Sequence, residues 1–188
     1  MIAWMSVPEA PLSNHGDGPA RLLIIEPNRG GLQALAKRLG EAGYRVIGCE
    51  HGGTALAEML RAPVDLILAE LRMAPVSGLE LTRRIRDDVM LKDTPVVLIT
   101  GRTDRPGAVD GFAAGADDVV AKPFHFEVLA ARIRQRIEKA RSVRQLRADN
   151  ANLDARVVSR SIELGEMKVA LAEAEADRER LRQLVKRP

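Results

Sequence analysis

Asp65 to Leu81 reads DLILAELRMAPVSGLEL, and the order of residue types in this stretch decides the architecture of the chain. DLILA is a short apolar run without alternation, the pattern of a strand covered on both faces. Glu70 follows it. A loop with Pro75 comes next, and then Leu79, Leu81 and Ile85 recur at helical spacing. Strand, acidic turn and helix therefore follow one another directly.

Outward from this stretch the same unit repeats. LLII (22–25), RVIGC (45–49), PVVLI (95–99) and DVVA (118–121) are four more candidate buried strands. Between them Leu32, Leu35 and Leu39 fall on one helical face, and Leu56, Met59 and Leu60 on another. Gly43, Gly52, Gly53, Gly101 and Gly115 punctuate the junctions. Five strands alternating with helices predict an α/β fold, a doubly wound parallel sheet with helices on both faces. Ligands of such folds sit at the carboxyl ends of the strands, near the point where strand order reverses. Glu26, Glu70, Thr100 and Lys122 stand just after the runs and are the residues to inspect.

Both ends of the chain behave differently. Residues 1–20 are rich in Pro, Gly, Ser and Asn without periodicity and read as a flexible leader. From about Phe124 one helical pattern continues, with no proline before Pro188 and Gly165 as its single glycine. A heptad frame fits from Val143. Its a positions are Val143, Asn150, Val157, Leu164, Leu171, Arg178 and Val185, and its d positions Leu146, Leu153, Arg160, Met167, Ala174 and Leu181. Ten of these thirteen are apolar, which meets the criterion for a coiled coil. A helix over 124–187 would extend roughly 90 Å, too far to bury its seam against so small a domain, so it needs a partner helix. The expected organisation is a leader (1–20), an α/β domain (21–138) and a coiled-coil helix (139–188) continuous with the last helix of that domain.

Composition narrows the function classes. A single cysteine, Cys49, makes no internal disulfide and fits a reducing cytosol. It reads as a core residue at a strand end. Three histidines and one cysteine make a structural zinc site improbable, and His51 and His125 lack partner spacing. The first residues lack the basic start of a signal peptide, and no stretch is long and apolar enough to span a bilayer. A cytoplasmic location is expected. Residues 1–125 hold 14 basic against 16 acidic side chains, and residues 126–188 hold 15 against 10, so the overall +3 comes from the C-terminal third.

At its strand ends the sequence resembles the receiver domain of two-component response regulators, over about residues 20–138. RLLIIEP (21–27) resembles the first strand and acidic turn of that family, and DLILAELRMAPVSGLEL its phosphoacceptor strand and loop. PVVLITG (95–101) is similar to the strand ending in Thr or Ser, and GADDVVAKPF (115–124) to the segment ending in Lys-Pro. The resemblance implies a five-stranded, flavodoxin-like sheet of order 2-1-3-4-5. It places Thr100 where a hydroxyl bonds the phosphoryl group and Lys122 where an ammonium pairs with it, with a cis Lys122–Pro123 bond. It gives Asp117 and Asp118 structural roles in a turn.

Four positions depart from the family. Glu70 replaces the phosphoacceptor aspartate. Glu26 and Pro27 stand for the acidic pair. Ala74 occupies the place of the loop proline, with Pro75 one residue later, and Val119 occupies the aromatic switch position. Phosphoryl transfer needs a cation and an in-line nucleophile, and magnesium demands several hard oxygens. Pro27 offers none, and Glu70 carries its carboxylate one methylene further out, into the space of the phosphoryl group. There it is expected to pair with Lys122 and accept from Thr100 without a metal, imitating a phosphoaspartate with less charge. The blander alternative is an ion pair with no signalling meaning. Glu26 reads as a lone pocket carboxylate, and Val119, stiff and ringless, as a switch that no longer turns. Magnesium binding is expected to be weak or absent, and no metal or other cofactor is assigned.

Two features of the C-terminal helix bear on partners. Seven basic residues (Arg132, Arg134, Arg136, Lys139, Arg141, Arg144 and Arg147) accompany one acid, Glu138, and cover most of the circumference. They read as a solvated neck, with an anionic ligand such as nucleic acid or a nucleotide the alternative. Asn150 at an a position suits a two-stranded parallel coil, where a buried Asn fixes register. Arg160 and Arg178 loosen the seam. The preferred expectation is a phosphorylation-independent receiver acting as a dimeric signalling adaptor, a binding module and not an enzyme. Alternatives are a phosphorylation-controlled receiver from a longer regulator, for example a cyclic-di-GMP enzyme, and nucleic-acid or nucleotide binding through the neck. LDARVVSRSIEL (153–164) resembles the connecting helices of such regulators.

Overall fold

The structure, a computed structural model, describes residues 18–185, apart from the side chains of Ala170, Ala174, Asp177 and residues 181–185. Most of the expected leader thus lies outside the described residues, as do the side chains of the seam positions Ala174, Leu181 and Val185. Five apolar runs form strands: β1 (Arg21–Ile25), β2 (Arg45–Cys49), β3 (Leu66–Glu70), β4 (Val96–Thr100) and β5 (Asp118–Ala121). They pair in parallel in the order β2-β1-β3-β4-β5, which is the expected doubly wound sheet. Strand order reverses between β1 and β3. The helices are α1 (Arg29–Glu41), α2 (Gly52–Arg61), α3 (Gly78–Asp87), α4 (Arg105–Ala113) and α5 (Phe126–Val185).

Alternation along the strands divides the core into two layers. Leu22, Ile24, Leu66, Leu68, Val97 and Ile99 face one side, against Leu35 and Leu39 of α1 and Leu129, Ile133 and Ile137 of α5. Leu23, Ile25, Ile67, Ala69 and Leu98 face the other, against Ala55 and Met59 of α2 and Leu81 and Ile85 of α3. Each fully buried aliphatic side chain contributes on the order of 1.5–3 kcal/mol. Cys49 is buried in the second layer, the core position expected for it.

Three boundaries differ from expectation. β3 and β4 each lie one residue later than the apolar runs, so Glu70 and Thr100 end the strands instead of following them. Ladder bonds do not depend on side-chain polarity. The Leu71 amide still donates to the Ile99 carbonyl at 2.7 Å, which carries the pairing through Glu70. α5 begins at Phe126, where the His125 carbonyl accepts the Val128 and Leu129 amides. Leu60 is 80% exposed, because α2 turns Gly52, Ala55 and Met59 inward and its buried stripe excludes Leu60.

The chain divides into two units, the first ending at Ser142 and the second beginning at Val143. In the first, Phe126, Leu129, Ala130, Ile133 and Ile137 of α5 are buried, whereas Val128 on the outer face is exposed. In the second, every described large apolar side chain is exposed, from 37% at Val143 to 64% at Leu146. No helix among the described residues is long and apolar enough to cross a membrane.

Candidate functional site

The carboxyl ends of β1, β3, β4 and β5 converge, since Ile25 pairs with Ala69, Glu70 with Ile99 and Thr100 with Ala121. Glu26, leaving β1, is 4% exposed. Its Oε1 accepts the Asn28 amide at 3.0 Å, just before Asn28 caps α1 by accepting from Gly31 at 2.8 Å. Its Oε2 lies 2.7 Å from Lys122 Nζ. Glu70, at the end of β3, places its own Oε2 2.7 Å from the same Nζ. Close packing of α3 holds this strand end. A Cβ on Gly78 would lie 2.6 Å from the Glu70 carbonyl oxygen, so only glycine lets the helix start there.

Lys122 therefore bridges two carboxylates at the point where strand order reverses. Burial works against its charge, but the bonds from Glu26 and Glu70 outweigh it and raise its pKa above the ordinary lysine value. Lys122–Pro123 is a cis peptide bond, as the resemblance implied, and so is Ala74–Pro75, which was not foreseen. Glu26 is not the lone carboxylate expected of it: the ammonium pairs with both acids. Pro27 is exposed beside them and supplies no side-chain oxygen. A cleft of about 230 Å³ opens next to Glu26 and Lys122, lined also by Leu35, Phe124 and Phe126. Arg38 closes one side of it, stacked 4.0 Å above the Phe126 ring and 3.1 Å from Glu127.

Thr100 is buried but does not donate to Glu70 as expected. Its hydroxyl donates to Asp104 Oδ2 at 3.3 Å. Asp104 caps α4, with Oδ1 accepting the Gly107 amide at 3.0 Å, and is gripped by Arg72 through Nε at 2.5 Å and Nη2 at 2.8 Å. Such two-pronged pairing is the strong form of a charged hydrogen bond. Arg72 is the first cause holding the Asp104 carboxyl down at about 2, below the usual carboxylate range. This clamp joins the loop after β3 to the loop after β4. The carboxylate needs the space a side chain at position 107 would fill, since a Cβ there would collide with Asp104 Oδ2. The competing acceptor on α4 is what takes Thr100 from Glu70.

Two further arrangements fix β5. Asp118 accepts from Arg132 (2.9 Å) and Arg136 (3.3 Å) of α5, so two residues of the basic neck are bound to the sheet. Arg134 lies 4.0 Å from Glu138. Lys139 and Arg141 are exposed on α5. Asp117 accepts from Arg86 and from the Val96 amide. Both aspartates hold the fold together, although Asp118 belongs to β5 and not to a turn. Val119, half-buried on β5, faces α4 closely enough that a Cβ on Gly111 would lie 3.0 Å from its Cγ2.

Sequence reasoning missed Arg72, Asp104 and the Asp118 pairs. One signal for Asp104 was present: Asp-Arg-Pro-Gly (104–107) combines a capping residue with proline in the first turn. Nothing local marked Arg72, whose partner lies thirty-two residues away.

With this sheet order and these strand ends in place, the class is a receiver. Residues 22–134 match the response regulator receiver domain, and the chain belongs to that family. It is similar to the transcriptional regulatory protein DltR of Streptococcus agalactiae, with 32% identity over 157 residues, covering 82% of this chain and 68% of that protein. It is also similar to a Vibrio cholerae protein named "Probable cyclic di-GMP phosphodiesterase", 29% identical over 150 residues, which are 80% of this chain and 34% of that one. Among solved structures, the signal receiver domain of a signal transduction histidine kinase from Syntrophus aciditrophicus superposes with a TM-score of 0.61. Its identity is 28%, over 64% of this chain and 91% of that one.

Proposed function

We propose that this receiver works without phosphate, as a dimeric cytoplasmic signalling adaptor that presents one fixed surface and catalyses nothing. The observation that carries the proposal is the Lys122 ammonium, 2.7 Å from both Glu26 and Glu70. Glu70 stands where the family accepts a phosphoryl group, and its carboxylate already holds the lysine that would pair with that group. The donor set does not suit magnesium. Two carboxylates each engaged by an ammonium, beside a proline, fall short of the several free hard oxygens the ion requires. Magnesium binding is accordingly weak or absent. Thr100, bonded to Asp104, and Val119, without a ring, leave little for a phosphate-driven switch to move.

The test is incubation of the chain with magnesium and acetyl phosphate, followed by intact mass measurement beside Glu70→Asp. The parent should gain no phosphoryl adduct, and an adduct on the variant alone would assign the loss to Glu70. An adduct on the parent would restore a phosphate-controlled receiver.

The dimer is formed in this proposal by the C-terminal helix as a parallel coiled coil, with Asn150 fixing register. The exposed Leu146, Leu153, Val157, Leu164, Met167 and Leu171 support it, since a soluble helix does not leave such a row to water. Leu153→Glu with Leu164→Glu removes this seam. A second reading is favoured by one finding: the Vibrio relative is about three times as long as its matched part, so a receiver of this kind also serves within longer regulators. Binding of an anionic ligand by the neck has less support, because Arg132 and Arg136 are committed to Asp118.

A further inference from the structure

The C-terminal helix carries a second apolar stripe that the coiled-coil seam does not use. It runs from Ala148 to Ala176 at alternating spacings of three and four, the spacing of a heptad core. Val158, Ile162 and Val169 form its centre, and every other position is alanine or Gly165. The three large residues are 58–60% exposed, and a Cβ on Gly165 would meet nothing within 4 Å. In the frame of the first seam these are the b and f positions. At 3.6 residues per turn, the two stripes lie about 150° apart on the helix.

The stripes differ in quality. The first is interrupted by Asn150 and Arg160, whereas the second contains no polar residue between 148 and 176. Their flanks differ too. In a parallel pair, a residue flanking the core faces the residue five positions later on the other helix. Along the first seam this sets Asp149 against Asp154 of the other copy, a like-charge contact, alongside the opposite-charge pairs Glu163–Lys168 and Asp177–Arg182. Along the second it sets Lys168 against Glu173 and Glu175 against Arg180. The remaining flank pairs, Arg147–Asn152, Asp154–Ser159 and Ser161–Glu166, oppose no like charges. The second stripe is thus self-complementary in charge when it meets another copy in parallel register.

We propose that this second stripe is a contact surface for another copy of the chain, a proposal that rests on the first-seam dimer proposed above. Each seam pairs two copies about a twofold axis along the helix. Two such parallel axes on nearly opposite faces combine into a translation, so using both does not close a ring. Association therefore proceeds beyond the dimer and grows with concentration.

Sedimentation velocity of the full chain across a concentration series tests this with three variants. The parent should pass from dimer to larger species as concentration rises. Val158→Glu with Ile162→Glu should stop at the dimer at every concentration. Leu153→Glu with Leu164→Glu should also leave a dimer, held by the second stripe, and all four changes together should give a monomer. Far-ultraviolet circular dichroism and the melting of the α/β unit report whether each variant stays folded. A parent that remains a dimer throughout, or larger species that persist in Val158→Glu/Ile162→Glu, overturns the second surface. A Leu153→Glu/Leu164→Glu variant that associates just as the parent does overturns the first-seam dimer instead.

Discussion

The two units of this protein use the same residues in opposite ways. Up to Ile137, the leucines, isoleucines and valines of β1, β3 and β4, with Leu39, Leu81, Ile85, Leu129 and Ile133 on the helices, are buried by other parts of the same chain. From Val143 onward, the same residue types at the same spacing stay exposed. A periodic apolar stripe specifies that something must cover it, and only chain topology decides whether that cover is internal. In the first unit the sheet returns five times to one layer, so α1 to α5 each find an apolar face. The second unit is a single helix whose large apolar side chains are not covered by any of the described residues, and in the proposed dimer their cover comes from another copy.

Substitutions in the two units should have very different effects. Leu68→Ala, in the sheet, should lower the free energy of unfolding by about 2–5 kcal/mol, the usual cost of a cavity at a fully buried leucine. Leu153→Ala, in the helix, should leave the urea midpoint of the α/β unit unchanged and weaken self-association. A large urea shift from Leu153→Ala would mean that the helix seam is covered within the chain after all.

The ion triad comes next in size. Lys122→Met leaves Glu26 and Glu70 facing each other without a counter-charge and should cost about 1–3 kcal/mol, reduced from the buried-pair range because the lysine is partly exposed. Adding Glu70→Gln should recover part of that loss. No recovery would show that the lysine acts through packing alone. The pKa of Lys122 is raised in the folded chain, so its contribution is complete below the unfolded lysine pKa, about 10.4, and disappears as pH rises through the folded value. The parent should therefore lose more stability at strongly alkaline pH than Lys122→Met does.

A smaller effect, about 1 kcal/mol, is expected from Asp118→Asn, which weakens the grip of β5 on Arg132 and Arg136. Amide exchange should quicken in the first turns of α5 and remain unchanged beyond residue 143. The smallest change in stability comes from the clamp between the loops. The Asp104 carboxyl is held at about 2, below its unfolded value near 3.9, so the clamp is intact above that unfolded value and is lost as pH falls through about 2. Nuclear magnetic resonance of the Gly107 and Thr100 amides should show the loops freeing together in that window. Gly107→Ala should free them at neutral pH, by colliding with the Asp104 carboxylate.

Much of the pocket was legible in the sequence, and for a definable reason. Glu26, Glu70, Thr100 and Lys122 each end an apolar run, and a parallel sheet brings the carboxyl ends of all its strands to one edge. Their partnerships were less legible. Glu26 was read as solitary because nothing in the chain order says that one ammonium reaches two strand ends. Thr100 was assigned to Glu70 because Asp104 enters the site from a loop whose course depends on the start of α4.

Residue order along the chain was enough for the α/β class, the number of strands, the residues at the strand ends and the unbroken C-terminal helix with its apolar stripes. These follow from periodicity, which is local and survives in one dimension. It took the packed fold to join Lys122 to both Glu26 and Glu70, to draw Thr100 away to Asp104 and Arg72, and to bind Asp118 to two arginines of the neck. Each of these is a choice among competing charged partners far apart in sequence. Hydrogen bonds of a few ångströms are sensitive to where a loop or helix start places a carboxylate, and that position exists only once the sheet and its helices have packed.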